Sequence, residues 1–300
     1  MENDAQRPAI GAFWMIVTGL CFVAVTAIVK FNGTRIPAAE AAFLRYALGL
    51  VFLLPMLTTL RSTTFTPRLW GIITARGAFH TVGVTLWFFA MTQISIAEVT
   101  AMNYLSPVYV TIAAALFLGE KLAFRRILAV LCALVGAIII LRPGFRELNM
   151  GHFAMLFTAI MFCGSYLTAK MLADALPASV VVAMLSIAVA IGLAPMAYAV
   201  WIPPTLGEVG LLFAVACFAT AGHYTMTLAF AAAPLTVTQP VTFLQLVWAV
   251  SLGYFAFGEE VDIWVMIGGF LILSSVSFIT WREAVLKRKA VTPTHIETKL

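Results

Sequence analysis

Ten stretches of about twenty residues, each nearly free of charge, follow one another along this 300-residue chain. About twenty apolar residues is the length a helix needs to cross a bilayer. The stretches run over roughly 11–29, 38–58, 69–91, 95–118, 124–142, 151–171, 178–200, 208–231, 235–257 and 261–281. Hydrocarbon offers an exposed backbone no partners, so only helices and closed barrels span it. These runs are continuously apolar instead of alternating, which argues against barrel strands. Composition agrees: 62% of residues are hydrophobic and 10% charged, with a mean hydropathy of +1.01, whereas a soluble domain carries about 25% charged residues. The expected fold class is an all-α integral membrane protein with ten transmembrane helices. A short N-tail (1–10) and a basic C-tail (282–300) flank them.

The first run reads as a retained helix. MENDAQRPAI sets Glu2 and Asp4 against Arg7, which is not a basic signal-peptide start, and no small-residue cleavage site follows. Lysine and arginine set the orientation. With the N-terminus inside, thirteen fall on inside segments: Arg7, Arg61, Arg68, Arg76, Lys121, Arg125, Arg126, Lys170, Arg282, Lys287, Arg288, Lys289 and Lys299. Four (Lys30, Arg35, Arg142, Arg146) fall outside, and Arg45 lies within a span. Both termini are expected in the cytoplasm. The net charge of +5 therefore reports topology and not a nucleic-acid partner, and the basic tail also suits anionic lipid.

The chain also repeats itself. GAFWMIVTGLCFVAVTAIVK (Gly11–Lys30) and GHFAMLFTAIMFCGSYLTAK (Gly151–Lys170) share Gly, Phe, Met, Thr, Phe and Lys in register. Pro37 and Pro55 bracket the second span as Pro177 and Pro195 bracket the seventh, 140 residues on. Gly119-Glu120 matches Gly258-Glu259, and the segment from Tyr104 to Tyr109 aligns with that from Phe243 to Trp248, although Leu246 replaces Pro107. Two five-span units, 11–142 and 151–281, follow. Because five is odd, the second unit enters the membrane inverted, as in many secondary transporters.

The segment NYLSPVYVTIAAALFLGEKLAFRRILAVLCALVGAIIILRPG (Asn103–Gly144), together with AFLRYALG (Ala42–Gly49), resembles the drug/metabolite transporter superfamily, EamA type. The resemblance extends over both halves. It implies a basket-shaped ten-helix fold with a central cavity, the fifth and tenth helices packed at its back. It implies a multi-pass protein of the bacterial inner membrane, exporting small metabolites by alternating access. Amino acids, aromatic ones included, are the first expectation for cargo; drugs, nucleosides and S-adenosylmethionine are the alternative.

Polar groups inside spans are costly and usually face a bundle interior. In the third span Arg76, His80, Gly83 and Trp87 share one helix face by their spacing. His223, beside Gly222 in the eighth span, lies one turn from the repeat equivalent of His80. The two histidines are candidates for cargo contact, against a competing role in helix packing. Asn103, Tyr104 and Pro107 in the fourth span, and Thr242, Gln245 and Trp248 in the ninth, are candidate lining residues, with interhelical hydrogen bonding as the alternative. Phe22 and Phe162 are repeat equivalents and, with Tyr166 and Trp87, sit deep enough to stack a planar cargo. Pro107 breaks the hydrogen-bond ladder and offers a hinge. Arg45 is read as a structural or gating charge. Glu98 is a candidate proton-coupling acid or else a helix-start residue complementing the dipole, and Glu120 and Glu259 are read as structural.

No cofactor is expected. Cys21, Cys132, Cys163 and Cys217 lie within spans without metal-ligand spacing and read as reduced, packed thiols. Nucleotide-binding and hydrolase motifs are missing from the sequence. A membrane-embedded lipid-modifying enzyme would need a nucleophile, base and metal clustered near one interface, where this sequence scatters its histidines. A non-transporting receptor is disfavoured by the small soluble segments. The expected partners are a small-molecule substrate and membrane lipid, with the chain a monomer or homodimer.

Overall fold

The computed structural model describes residues 8–117, 124–145, 147–173, 175–233, 238 and 241–291. The helices are α1 (Pro8–Asn32), α2 (Ala38–Gly49), α3 (Leu57–Ser62), α4 (Pro67–Gln93), α5 (Ile96–Asn103), α6 (Leu105–Phe117), α7 (Phe124–Leu141), α8 (Met150–Ala173), α9 (Ala178–Ala199), α10 (Leu206–Ala232), α11 (Phe243–Phe257) and α12 (Ile263–Val291). Among the described residues seven of them, α1, α4, α7, α8, α9, α10 and α12, are long and apolar enough to cross a membrane. The chain is an all-helical integral membrane protein. Its exposed faces carry Phe157, Ile191, Phe255 and Phe270, which suits lipid and not water.

The other expected spans are interrupted. After α2 the backbone tightens into a 3₁₀ segment, Leu50–Met56, before α3. Pro55 lies in that segment, where its missing N–H works against α-helical continuation. The fourth span is broken at Tyr104 into α5 and α6. Pro107 cannot donate to the carbonyl of Asn103, the last residue of α5, so the ladder has no bond to lose there. Thr242 is likewise a turn residue directly before α11. The two breaks meet: the Tyr104 hydroxyl donates to the Thr242 carbonyl at 2.8 Å. Leu246 in place of Pro107 therefore does not abolish a break in the ninth span. The Gln239-Pro240 pair and the Gly119-Glu120 turn lie outside the described residues.

Helix starts are chemically marked. Thr66 caps α4 ahead of Pro67, and Ser95–Glu98 and Thr205–Glu208 form capping boxes on α5 and α10, satisfying backbone donors that lipid would leave bare. The principal packing pairs are α4 on α8, α1 on α10 and α7 on α12, followed by α2 on α9, α2 on α10 and α4 on α9. Helices in lipid approach through small residues instead of a hydrophobic drive. Between α7 and α12, a Cβ built on Gly136 would lie 2.7 Å from the Gly268 carbonyl oxygen. Between α4 and α8, one on Gly83 would lie 2.8 Å from the Phe162 ring.

One end of the bundle is closed by charge. Lys30 pairs with Glu259 and donates to the Ile94 carbonyl at 2.9 Å, while Glu259 also accepts the Ile96 N–H at 3.1 Å. Arg35 pairs with Glu208, Arg142 with Asp262, and Glu98 with His152 at 3.1 Å. Glu40 accepts the Ile202 N–H at 2.9 Å. Arg35, in the loop before α2, is held above its ordinary pKa by the hydrogen bond it donates to Glu208.

Candidate functional site

His80 is the midpoint of α4 and is buried. Its Nε2 meets the Tyr46 hydroxyl of α2 at 2.9 Å and its Nδ1 the Ser165 hydroxyl of α8 at 3.0 Å. Its ring stacks on Phe162 with centroids 5.0 Å apart. Phe162 also touches Trp87 at 6.3 Å and Tyr166 at 6.1 Å. His80, Trp87, Phe162 and Tyr166, singled out by the sequence, thus form one cluster at mid-depth. Across the bundle, Phe22 meets His223 edge-on at 5.2 Å. A Cβ on Gly222 would reach 3.4 Å from the Phe22 ring, echoing Gly83 against Phe162. Tyr46 and Ser165 were missed by sequence reasoning, although Tyr46 directly follows Arg45 and Ser165 lies one turn from Phe162.

Two arginines stand beside this cluster. Arg45 is 8% exposed, with its guanidinium carbon 3.9 Å from the Tyr46 ring centroid. Arg76, one turn from His80, donates to the Val181 carbonyl at 3.1 Å. The Nε of each, together with Trp87 Nε1 and Asn103 Oδ1, is buried without a partner. A cavity of about 210 Å³ lined by Pro107, Val110, Thr111, Tyr166, Val276, Ile279 and Thr280 reaches the cluster through Tyr166. It lies in the half of the bundle away from the ion pairs. A larger groove of about 570 Å³ between α4 and α9 is almost wholly apolar and includes the exposed Trp70, Val82 and Ile191. That groove suits lipid chains.

The remaining candidates separate. Tyr104 and Thr242 join the two broken spans, and Gln245 and Trp248 pack where α1 narrows at Gly19. Glu98 lies in neither group. Its Oε2 accepts from the Ser95 N–H and hydroxyl, both at 2.9 Å, and its Oε1 meets His152. That is the geometry of a helix-start carboxylate at the ion-paired end. No group of three metal-ligating side chains occurs among the described residues.

An apolar helical bundle with polar and aromatic groups gathered at mid-depth defines a multi-pass membrane protein with a candidate site in its interior. The EamA-like transporter family matches residues 9–142, so this part of the chain is similar to EamA-type transporters. It is 26% identical to an S-adenosylmethionine uptake transporter of Rickettsia bellii, over 94% of this chain and 97% of that protein. It is 29% identical to a riboflavin transporter of Vibrio cholerae, over 95% and 97%. It is 24% identical to the pseudopaline exporter CntI of Pseudomonas aeruginosa, over 88% and 93%. A crystal structure described only as that of a protein superposes with a TM-score of 0.59 at 18% identity, over 94% of this chain and 99% of that one. These likenesses and the seven apolar helices fit a multi-pass membrane protein similar to bacterial small-molecule transporters.

Proposed function

We propose that the chain moves a small metabolite by alternating access between two inverted five-helix repeats, 11–142 and 151–281. In this reading ten spans cross the membrane and both termini lie in the cytoplasm. Exchange of the halves turns the α4–α8 contact into the α1–α10 contact, and α2–α10 into α4–α9, while α7–α12 and α2–α9 map onto themselves. These six principal packing pairs are unchanged as a set by the exchange, which supports a pseudo-two-fold relation between the halves. In this reading the site lies within one chain, so a monomer suffices and a homodimer would carry two copies.

The cargo proposed is an amino acid, aromatic ones included, moved outward. The observation that carries this is the mid-depth cluster of Phe162, Tyr166, Trp87 and His80, where planar rings adjoin buried polar atoms without partners. S-adenosylmethionine is the second reading, favoured by the names of relatives such as that of Rickettsia bellii. Counterflow in proteoliposomes tests both, with labelled Phe, Thr, Met, S-adenosylmethionine and riboflavin, with and without a proton gradient. Saturable exchange of Phe is expected. Exchange of S-adenosylmethionine alone would replace the first reading with the second, and exchange of none would remove both.

A further inference from the structure

Among the described residues, the middle of this bundle is unbalanced in charge. The acidic side chains that the structure describes, Glu40, Glu98, Glu147, Glu208, Glu259, Glu260 and Asp262, all belong to the ion-paired end or its loops. Arg45 and Arg76 lie deeper. Glu40 is five residues nearer that end than Arg45 and is committed through Oε2 to the Ile202 N–H. Neither arginine has a carboxylate partner among the described residues, and the Nε of each is buried and unpaired. Both lie within electrostatic reach of His80 and His223, and Arg76 also of Tyr46 and Tyr166. Two guanidiniums without a counter-charge among the described residues are expensive in a low-dielectric interior. A guanidinium is also the side chain whose planar fork best matches a carboxylate.

We propose that Arg45 and Arg76 form a subsite for the carboxylate of the cargo, whose apolar or aromatic part lies against Phe162, Tyr166 and Trp87. This rests on the transport reading and narrows it: cargo brings the negative charge that the described residues do not place beside the two arginines. Arg45 stands on the Tyr46 ring, and Tyr46 is hydrogen-bonded to His80. Arg76 is one turn from His80 on the same helix. Both arginines thus connect to one imidazole from different helices, Arg45 through the Tyr46 ring and Arg76 along α4, and the ring cluster begins at that imidazole. A neutral cargo would leave both charges uncompensated, which disfavours riboflavin-like substrates here.

The test is thermal unfolding of the purified full-length protein in detergent, titrated with 3-phenylpropionate, with its uncharged isostere 3-phenylpropanamide, and with phenyl phosphate. Phenylpropionate should raise the melting temperature saturably and the amide should not. Half-saturation should weaken by about tenfold in R45Q and in R76Q, the scale of one lost charge-assisted pair. If a glutamine variant fails to fold, R45K and R76K serve, since they keep the charge and lose the fork. Equal stabilisation by the amide overturns the subsite, as does wild-type half-saturation in the folded variants. A response to phenyl phosphate without one to phenylpropionate overturns the carboxylate assignment. Counterflow of L-phenylalanine against phenethylamine runs in parallel. If phenylpropionate binds through both arginines and no amino acid exchanges, the cargo reading falls and the subsite stands.

Discussion

His80 ties three helices together with one ring: Tyr46 of α2 and Ser165 of α8 hold its nitrogens, and Phe162 covers its face. Replacing it with phenylalanine keeps a planar ring and strands two hydroxyls. Interhelical hydrogen bonds in membranes average about 0.6 kcal/mol each, so His80→Phe should insert normally while its Phe counterflow falls by at least about fivefold as the cluster loses its register. Unchanged exchange at normal expression would remove His80 from the site. The histidine was legible in the sequence because an ionisable side chain stands out in an apolar run. Its partners were not. Hydroxyl side chains are ordinary in such helices, and only the fold brings residues 34 and 85 positions away to the two nitrogens. Arg45 was legible as a costly charge, but its lack of a carboxylate appears only when the acids are located in space.

The long, uninterrupted helices were readable from apolar length alone, whereas the second, fourth and ninth spans were not readable in detail. Pro55 and Pro107 announce a disturbed ladder, but whether the chain answers with a 3₁₀ segment or a clean break depends on what packs against it. The same limit applied to Gly136, whose use appears only where α7 meets α12. Gly136→Val would press against the Gly268 carbonyl and Ile272, and overpacking of this kind costs about 1–3 kcal/mol. A lower melting temperature in detergent is expected, and wild-type melting would show that the two helices can part freely. Glu259, read from the repeat as structural, binds the ends of α1 and α5 to the end of α11 through Lys30 and the Ile96 N–H. Glu259→Gln should weaken that latch. Spin labels at the exposed positions Phe31 and Val261 should then show an added, longer distance, and an unaltered distribution would deny Glu259 a latch role.

Across the whole molecule, the ion pairs close one end while the Pro107–Tyr166 cavity lies toward the other. Under the inverted-repeat proposal that asymmetry has a side. The loops at 33–37, 142–149 and 200–205 would face the periplasm, and the segment 63–66 the cytoplasm. Single cysteines test this, in a background lacking Cys21, Cys132, Cys163 and Cys217, all of which lie within helices. Cysteine at Phe145 or Leu206, exposed at 91% and 90%, should react with an impermeant maleimide in intact cells. Cysteine at the exposed Thr64 should react only after the membrane is opened. The reverse pattern would invert the orientation drawn from lysine and arginine. Reaction at Phe145 without Leu206 would be more damaging, because those loops are separated by α8 and α9 and share a side only if both helices cross the membrane. Two five-span units face opposite ways only while that parity holds, and with it stands the reason a single site can open in turn to each side.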